Sequence, residues 1–178
     1  MIIIKTKEEI ELMRESALIV SKTLGEVAKA IKPGVTTLQL DAIAETCIRD
    51  HGAIPGFLGL YDFPNTLCMS PNTQVVHGIP NKTPLVEGDI ISIDCGALKN
   101  GFYGDHAYTF PVGEIDPETE KLLQVTKESL YAGIREFKVN NRVGDVGYAI
   151  QKYCEDHGYG VVRELVGQGL GQKMHKDT

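Results

Sequence analysis

Residues 89–113 read DIISIDCGALKNGFYGDHAYTFPVG and combine a strand-like pattern with two unusually placed acidic residues. Two runs rich in Ile, Tyr, Phe and Thr, residues 90–97 and 102–112, flank a short segment that contains Asn-Gly. Such runs around an Asn-Gly pair are typical of a β-hairpin. Each run carries one carboxylate, Asp94 or Asp105, where a core strand normally has an apolar side chain.

The length of the connecting loop decides how the two carboxylates are arranged. A four-residue loop, residues 98–101, puts Asp94 directly opposite Asp105, whereas a two-residue loop at Asn100-Gly101 shifts Asp105 by two residues along its strand. Both alternatives leave the two side chains on one face, because side chains alternate between faces. Neighbouring carboxylates repel each other, and one then retains its proton. Because a divalent cation removes that conflict, the hairpin is interpreted as half of a metal site. The alternative is a solvated outer face of an edge hairpin.

Length and composition describe an ordinary globular chain. Of its 178 residues, 42% are hydrophobic and 24% are charged, and the net charge is −6. These values predict a single domain or two small halves with a real core. The negative charge argues against a general nucleic-acid-binding protein. The apolar run Ile2–Ile4 is too short for a signal peptide or a membrane span, so we expect a cytoplasmic protein without membrane association. Four widely spaced cysteines form no CxxC pair and no zinc-finger spacing.

Four helices are predicted from capping signals and apolar periodicity. Capping boxes at Thr6 and Thr36 begin the first two helices. Asp116, followed by a proline, begins the third helix. The fourth helix ends near His157, before a glycine.

Besides the hairpin, strands are predicted between the second and third helices and after the fourth. One short strand is expected over residues 66–70, and His77 ends a strand-like run at a bend beside Gly and Pro. A histidine held at such a bend is a candidate functional residue. A last strand is expected over residues 160–166, directly before the glycine-rich segment Gly167–Gly171. That segment lacks the glycine spacing and the βαβ context of a dinucleotide-binding loop.

The chain contains an internal repeat. Asp50-His51-Gly52 recurs as Asp156-His157-Gly158, at an offset of 156 − 50 = 106 residues, and both copies end a helix–turn–helix segment. This pattern predicts a duplication. Residues 1–113 then form a first half, and residues 114–178 begin a second, pseudo-symmetric half. At the same offset the counterpart of the hairpin falls beyond Thr178, so the second half is expected to be incomplete.

The ordered motifs of the chain resemble those of the type I methionine aminopeptidases. Besides the start of the first helix, they comprise Lys32–Val35, Leu67–Asn72, His77–Pro80, Gly88–Asp94, Gly101–Asp105, Gly158–Glu164 and Gly167–Gly171. The resemblance implies the pita-bread fold, an α/β (α+β) architecture with helices packed on one face of an antiparallel sheet. It also implies an aminopeptidase that removes the initiator methionine from nascent proteins by hydrolysis with a metal-bound hydroxide.

The resemblance further implies a set of metal ligands. The family holds two divalent ions, of Co, Mn, Fe or Zn, with two Asp, one His and two Glu. The Asp pair corresponds to Asp94 and Asp105, in agreement with the hairpin argument. The ligand His corresponds to Gln168, and an amide is a much poorer ligand than an imidazole. The glutamates, one of which shuttles a proton, are expected beyond Thr178.

Catalytic and substrate-binding residues are implied in the same way. The two histidines that contact the substrate and the reacting carbonyl correspond to His77 and His175. The pocket for the methionine side chain corresponds to Phe57, Phe63 and Cys68, with Met174 near it. Together with His77, these four residues are the substrate-binding residues that the resemblance implies.

Two functions from different classes remain open on the sequence alone. The first is a methionine aminopeptidase that acts on peptide or nascent-chain N-termini beginning with Met, as a monomer and with the ribosome as a further candidate partner. The second is a catalytically inactive relative that only binds peptide N-termini or another partner, which Gln168 and the expected loss of ligands favour. A proline-specific peptidase is a weaker third alternative, because the short N-terminus lacks the extra domain of those relatives.

Overall fold

A computed structural model describes residues 3–175, and its contacts divide them into two compact units. The first unit comprises residues 3–114 and 167–175, and the second comprises residues 115–166. In the part of the chain that the structure describes, no helix combines the length and the apolar character needed to cross a bilayer. The helices and strands are α1 (Lys7–Ala30), α2 (Thr37–Asp50), β1 (Ile54–Pro55), a 3₁₀ turn (Leu60–Asp62), β2 (Leu67–Pro71), β3 (Ile90–Lys99), β4 (Phe102–Pro111), α3 (Pro117–Arg135) and α4 (Val143–Asp156).

Strand β3 is the centre of the sheet in the first unit. Strand β4 pairs along one of its edges, and β1 and β2 pair one after the other along the opposite edge. All of these pairings are antiparallel. Helix α1 packs on β3 and β4, and α2 packs on α1, β1 and β2. The predicted arrangement, an antiparallel sheet with helices on one face, is therefore confirmed.

The β3–β4 hairpin has the shorter of the two loops considered from sequence. Lys99 pairs with Phe102, so Asn100 and Gly101 alone form the turn. Their φ angles of 52° and 79° are both positive, as a type I′ turn requires, and this turn matches the natural twist of the two strands.

The core fills the space between the sheet and the helices α1 and α2. Alternate residues of β3, beginning at Ile91, are fully buried on the helix-covered face. The opposite face of β3 begins at Ile90 and contains Asp94. The same core includes Ile19, Val20, Leu24, Val27, Leu40, Ala44, Ile48, Leu67, Met69, Ile93, Cys95 and Ala97.

The predicted helix starts are confirmed by their hydrogen bonds. Thr6 accepts from the backbone of Glu9, and the Glu9 carboxylate accepts from the backbone N–H of Thr6. Thr36 and Gln39 form the equivalent capping box on α2. Asp116 caps α3 by accepting from two backbone N–H groups of its first turn. Each cap satisfies N–H groups that a helix start otherwise leaves unpaired.

Two strand predictions are wrong. Residues 160–166 form turns and irregular structure, since the described part of the second unit consists of two helices and offers no strand for pairing. The run that ends at His77 is also not a strand. His77 has a left-handed backbone with a φ of 57°, which is incompatible with an extended conformation.

The sequence repeat is accompanied by a repeat of local geometry. The bounds of α2 and α4 differ by 143 − 37 = 106 residues, the offset of the repeated tripeptide. At both helix ends a histidine ring nitrogen lies near the carbonyl oxygen four residues earlier: His51 Nδ1 at 2.8 Å and His157 Nδ1 at 2.7 Å. The division into halves at residue 113 stays a prediction, and contacts group residues 167–175 with the first unit.

Candidate active site

Asp94 and Asp105 lie on the face of the hairpin opposite to the helix-covered core. Asp94 pairs with Ala107, and Asp105 pairs with Gly96. The two carboxylates are therefore diagonal neighbours on adjacent strands, within reach of each other. Both side chains are partly buried.

The environment of Asp94 disfavours its charged form. Burial raises the pKa of Asp94 to about 7, and the charge of Asp105 and a hydrogen bond with it act in the same direction. The Oδ1 atom of Asp94 is buried and has no hydrogen-bond partner among the described residues. A buried carboxylate oxygen without a hydrogen-bond partner lowers the stability of the folded state. A ligand bound to Oδ1 of Asp94 would remove this cost.

The donor set suits a divalent cation. Two adjacent carboxylates supply oxygen ligands, and a cation both pairs the orphaned oxygen of Asp94 and cancels the repulsion from Asp105. Cys68, the partner of Asp94 in β2, is a poor ligand as it stands, because burial and the two carboxylates raise the pKa of its thiol to about 12. Within residues 3–175 no group of three or more His, Cys, Asp or Glu side chains is arranged so that it could hold a metal ion. The two carboxylates would therefore supply only some of the ligands of a metal ion.

A separate apolar cluster lies on the same face of the sheet as the carboxylates. We call it the Phe57 cluster; it consists of buried Phe57, Cys68 and Met174, with partly buried Leu60, Phe63, Tyr103 and Leu170 packed against them. All four residues that the sequence suggests for the methionine pocket are in it. Cys68 adjoins Asp94 across the strands, and Tyr103 lies two residues before Asp105. The predicted pocket residues and the predicted metal ligands are therefore neighbours.

The segment that carries Met174 is held against the sheet by backbone contacts. The N–H of Tyr103 donates to the carbonyl oxygen of Gly171 over 2.8 Å. Gly96 gives Met174 room, since a Cβ there would lie 2.8 Å from its terminal methyl carbon. Gln168 is exposed, three residues before Gly171.

The backbone next to His77 is held against β2 by the neighbouring residue Gly78. The N–H of Gly78 donates to Ser70 Oγ over 3.1 Å, and its carbonyl oxygen accepts from Met69 N–H over 2.8 Å. A Cβ on Gly78 would overlap the carbonyl oxygen of Met69, so only glycine fits. The exposed His77 therefore projects from a defined backbone position. Ser70 lies within the motif at Leu67–Asn72 but is not among the predicted site residues.

His175 is exposed and stacks on the ring of Tyr61. The two ring centroids are 5.8 Å apart, and their planes are inclined by 18°. Tyr61 lies in the turn-rich segment after β1 and was not among the predicted site residues. A single exposed aromatic residue in a turn gives no sequence signal for such a contact.

Comparison with known proteins identifies the family. Residues 11–178 match the family described as metallopeptidase family M24. Methionine aminopeptidase from Clostridium acetobutylicum is 52% identical over 178 residues, which cover 99% of this chain and 71% of that protein. The chain belongs to the methionine aminopeptidases of family M24. Methionine aminopeptidase 1 from Bacillus subtilis is 50% identical, with coverages of 99% and 71%.

Solved structures agree with this assignment. The crystal structure of methionine aminopeptidase from Rickettsia prowazekii matches with a TM-score of 0.97 and 39% identity, covering 100% of this chain and 71% of that one. Prolidase from Pyrococcus furiosus matches with a TM-score of 0.85 at 22% identity, which shows a shared fold alone. The predicted family and the pita-bread fold are both confirmed.

Membership also confirms the predicted enzyme class. Methionine aminopeptidases of family M24 are metal-dependent hydrolases, so divalent metal dependence is a property of the family. The pair Asp94 and Asp105, with its orphaned buried oxygen, is consistent with that dependence.

Proposed function

We propose that this chain removes the N-terminal methionine of peptides and nascent proteins by metal-dependent hydrolysis. One observation carries the proposal: the buried, unpaired Oδ1 of Asp94 beside Asp105 lies next to an apolar cluster that contains Cys68. A cation site and an apolar site side by side suit a reaction at a bond next to an apolar side chain.

Asp94 and Asp105 would hold the metal. Two ions per site, of Co, Mn, Fe or Zn, match the ligand set that the sequence resemblance implies, and carboxylates accept several of these metals. When bound, such ions supply Lewis acidity for the hydrolysis of an amide. Gln168 stands at the position of a ligand histidine and would contribute a weaker amide oxygen.

The Phe57 cluster would bind the methionine side chain. Phe57, Phe63 and Cys68 offer an apolar, soft surface, and Met174 already occupies part of it with the same thioether group that the substrate carries. Burial of a methionine side chain contributes about 1.5–3 kcal/mol of favourable free energy. Met174 would have to shift its flexible end when substrate binds.

His77 and His175 would contact the substrate near the scissile bond. Both imidazoles are exposed, and each can donate a hydrogen bond to a carbonyl oxygen in its neutral form. His77 is a candidate because the hydrogen bonds of the next residue, Gly78, to β2 fix its backbone. His175 is a candidate because it directly follows Met174 of the Phe57 cluster in the chain. A nascent-chain substrate implies a cytoplasmic setting near the ribosome. The resemblance to the family favours a protein that acts as a monomer.

Release of methionine from Met-Ala-Ser, with added Co²⁺ or Mn²⁺, tests the proposal. We expect release that a chelator abolishes and that Asp94→Asn or Asp105→Asn lowers by at least about 100-fold, since each removes a metal ligand. Asp50→Asn, a matched change at an exposed carboxylate on α2, should leave release unchanged. N-acetylated Met-Ala-Ser should not be cleaved. Absence of release with every metal, or release that survives the chelator, contradicts the proposal.

A further inference from the structure

The segment from Phe57 to Phe63 is a closed loop anchored in the apolar cluster. Its two end residues both pack in the Phe57 cluster. The N–H of Gly59 donates to the carbonyl oxygen of Phe63 over 2.8 Å, and the N–H of Leu60 donates to that of Phe57 over 2.9 Å. These bonds hold the apex of the loop in one conformation.

The apex residue Tyr61 adopts a backbone conformation that a bulky side chain rarely takes. Its φ and ψ are 51° and 38°, in the left-handed region, and Asp62 follows with a φ of 64°. Such conformations are unfavourable and are concentrated at functional sites. The Tyr61 side chain is 81% exposed, so burial in the core does not explain why the loop holds it there.

The contact of the Tyr61 side chain with His175 supplies an explanation. The two rings are nearly parallel, with 18° between their planes and 5.8 Å between their centroids. Offset stacking of this kind is attractive. The other side of the contact is anchored as well, because Met174, the residue before His175, is only 3% exposed and packs in the Phe57 cluster. Both stacking partners thus rest on the same apolar cluster.

We propose that Tyr61 is a positioning residue, whose ring holds the imidazole of His175 beside the Phe57 cluster. The usefulness of this positioning rests on the proposed function. A fixed imidazole matters because His175 is proposed to contact the substrate. A side chain that is already ordered loses less conformational entropy on binding. Tyr61 thereby lowers the cost of the contact between His175 and a bound peptide.

Proton NMR of the ring signals of the five histidines tests the positioning directly. His175→Gln assigns the signal of His175. We expect nuclear Overhauser contacts between the ring protons of residues 61 and 175 in the wild-type protein and in Tyr61→Phe, and their loss with a shifted His175 signal in Tyr61→Leu. Tyr131→Leu, a matched change at an exposed tyrosine of α3, should leave His175 unchanged. The signal of His106 on β4, in the same compact unit as Tyr61 and His175, is the internal reference for an intact fold.

Wild-type spectra without these contacts, or a His175 signal that Tyr61→Leu leaves in place, overturn the proposal. Titration with Met-Ala-Ser then measures the consequence. Tyr61→Leu should weaken binding by about 3–10-fold, whereas Tyr61→Phe should not. Equal affinities for wild type and Tyr61→Leu would also overturn it. Failure of the wild type to bind Met-Ala-Ser counts against the proposed function, and the stacking contacts decide the positioning separately.

Discussion

Asp105 pairs with Gly96, not with Asp94, so the two carboxylates meet diagonally across the β3–β4 hairpin. The two-residue turn causes this offset, because a loop longer by two residues would have put the carboxylates directly opposite each other. The diagonal still leaves them close enough for Asp105 to raise the pKa of Asp94. The two carboxylates therefore repel each other when both are ionised, and this repulsion has measurable effects on stability and metal binding.

The first prediction concerns stability of the metal-free protein against pH. Burial and Asp105 raise the pKa of Asp94 in the folded state to about 7, whereas its pKa in the unfolded chain is about 4. The folded state therefore holds this proton more tightly, and its contribution to stability is lost as pH rises through that window. The free energy of unfolding of Asp94→Asn, measured relative to wild type, should therefore rise by roughly 2–3 kcal/mol when the pH is raised from 5 to 8. Each unit of pKa difference corresponds to about 1.4 kcal/mol.

Chemical denaturation in the presence of a chelator, at pH 5 and pH 8, measures this difference. Asp50→Asn changes an exposed carboxylate on α2 and should show no such trend. A difference between Asp94→Asn and wild type that is the same at both pH values would mean that Asp94 is ionised throughout.

The second prediction concerns metal binding. Below about pH 7 the carboxylate pair retains a proton that a divalent cation must displace, so binding of Mn²⁺ should release protons and strengthen as pH rises. Calorimetry at pH 6, in two buffers of different ionisation enthalpy, measures the release. Asp105→Asn should weaken binding and reduce the release, because it removes one ligand and also the charge that helps to hold the proton on Asp94. Binding heats that do not depend on the buffer would contradict this account.

The third prediction concerns Gln168. If this position ligates metal, Gln168→His should tighten Mn²⁺ or Co²⁺ binding by at least about 10-fold and raise methionine release, because imidazole is a better ligand than an amide. Gln172→His is the matched control, since Gln172 is also exposed and lies in the same segment. Equal gains from both variants would show that any nearby histidine recruits metal and that position 168 has no special role.

Local signals made much of the fold predictable. The capping boxes at Thr6 and Thr36 and the Asn-Gly turn act within a few residues, so the sequence reveals them directly. The strand expected over residues 160–166 failed because a strand needs a partner, and pairing depends on residues far away in the chain. The run before His77 also depends on residues outside it. The hydrogen bonds of the Gly78 backbone to β2 hold this run in a bend despite its β-like composition.

The site was predictable to the extent that strand alternation governs it. Alternation alone requires Asp94 and Asp105 to share a face whichever even loop connects them. By contrast, the stack of Tyr61 on His175 joins residues separated by 175 − 61 = 114 positions. It depends on a left-handed backbone that Tyr rarely adopts, so no propensity scale predicts it.

The last prediction tests the packing that supports the hairpin. Gly104 of β4 lies against α1, and a Cβ there would be 2.6 Å from the backbone N of Ala17 and the backbone C of Ser16. Because backbone atoms cannot move aside cheaply, Gly104→Ala should destabilise the protein by about 1–3 kcal/mol. Gly25→Ala is the matched control within α1: nothing lies within 4 Å of the added Cβ, and alanine is the better helix former. It should stabilise by about 0.5–1 kcal/mol. Urea denaturation measures both changes. A Gly104→Ala variant as stable as wild type would show that β4 is free to move away from α1, and then Asp105 could not be held in a fixed position beside Asp94.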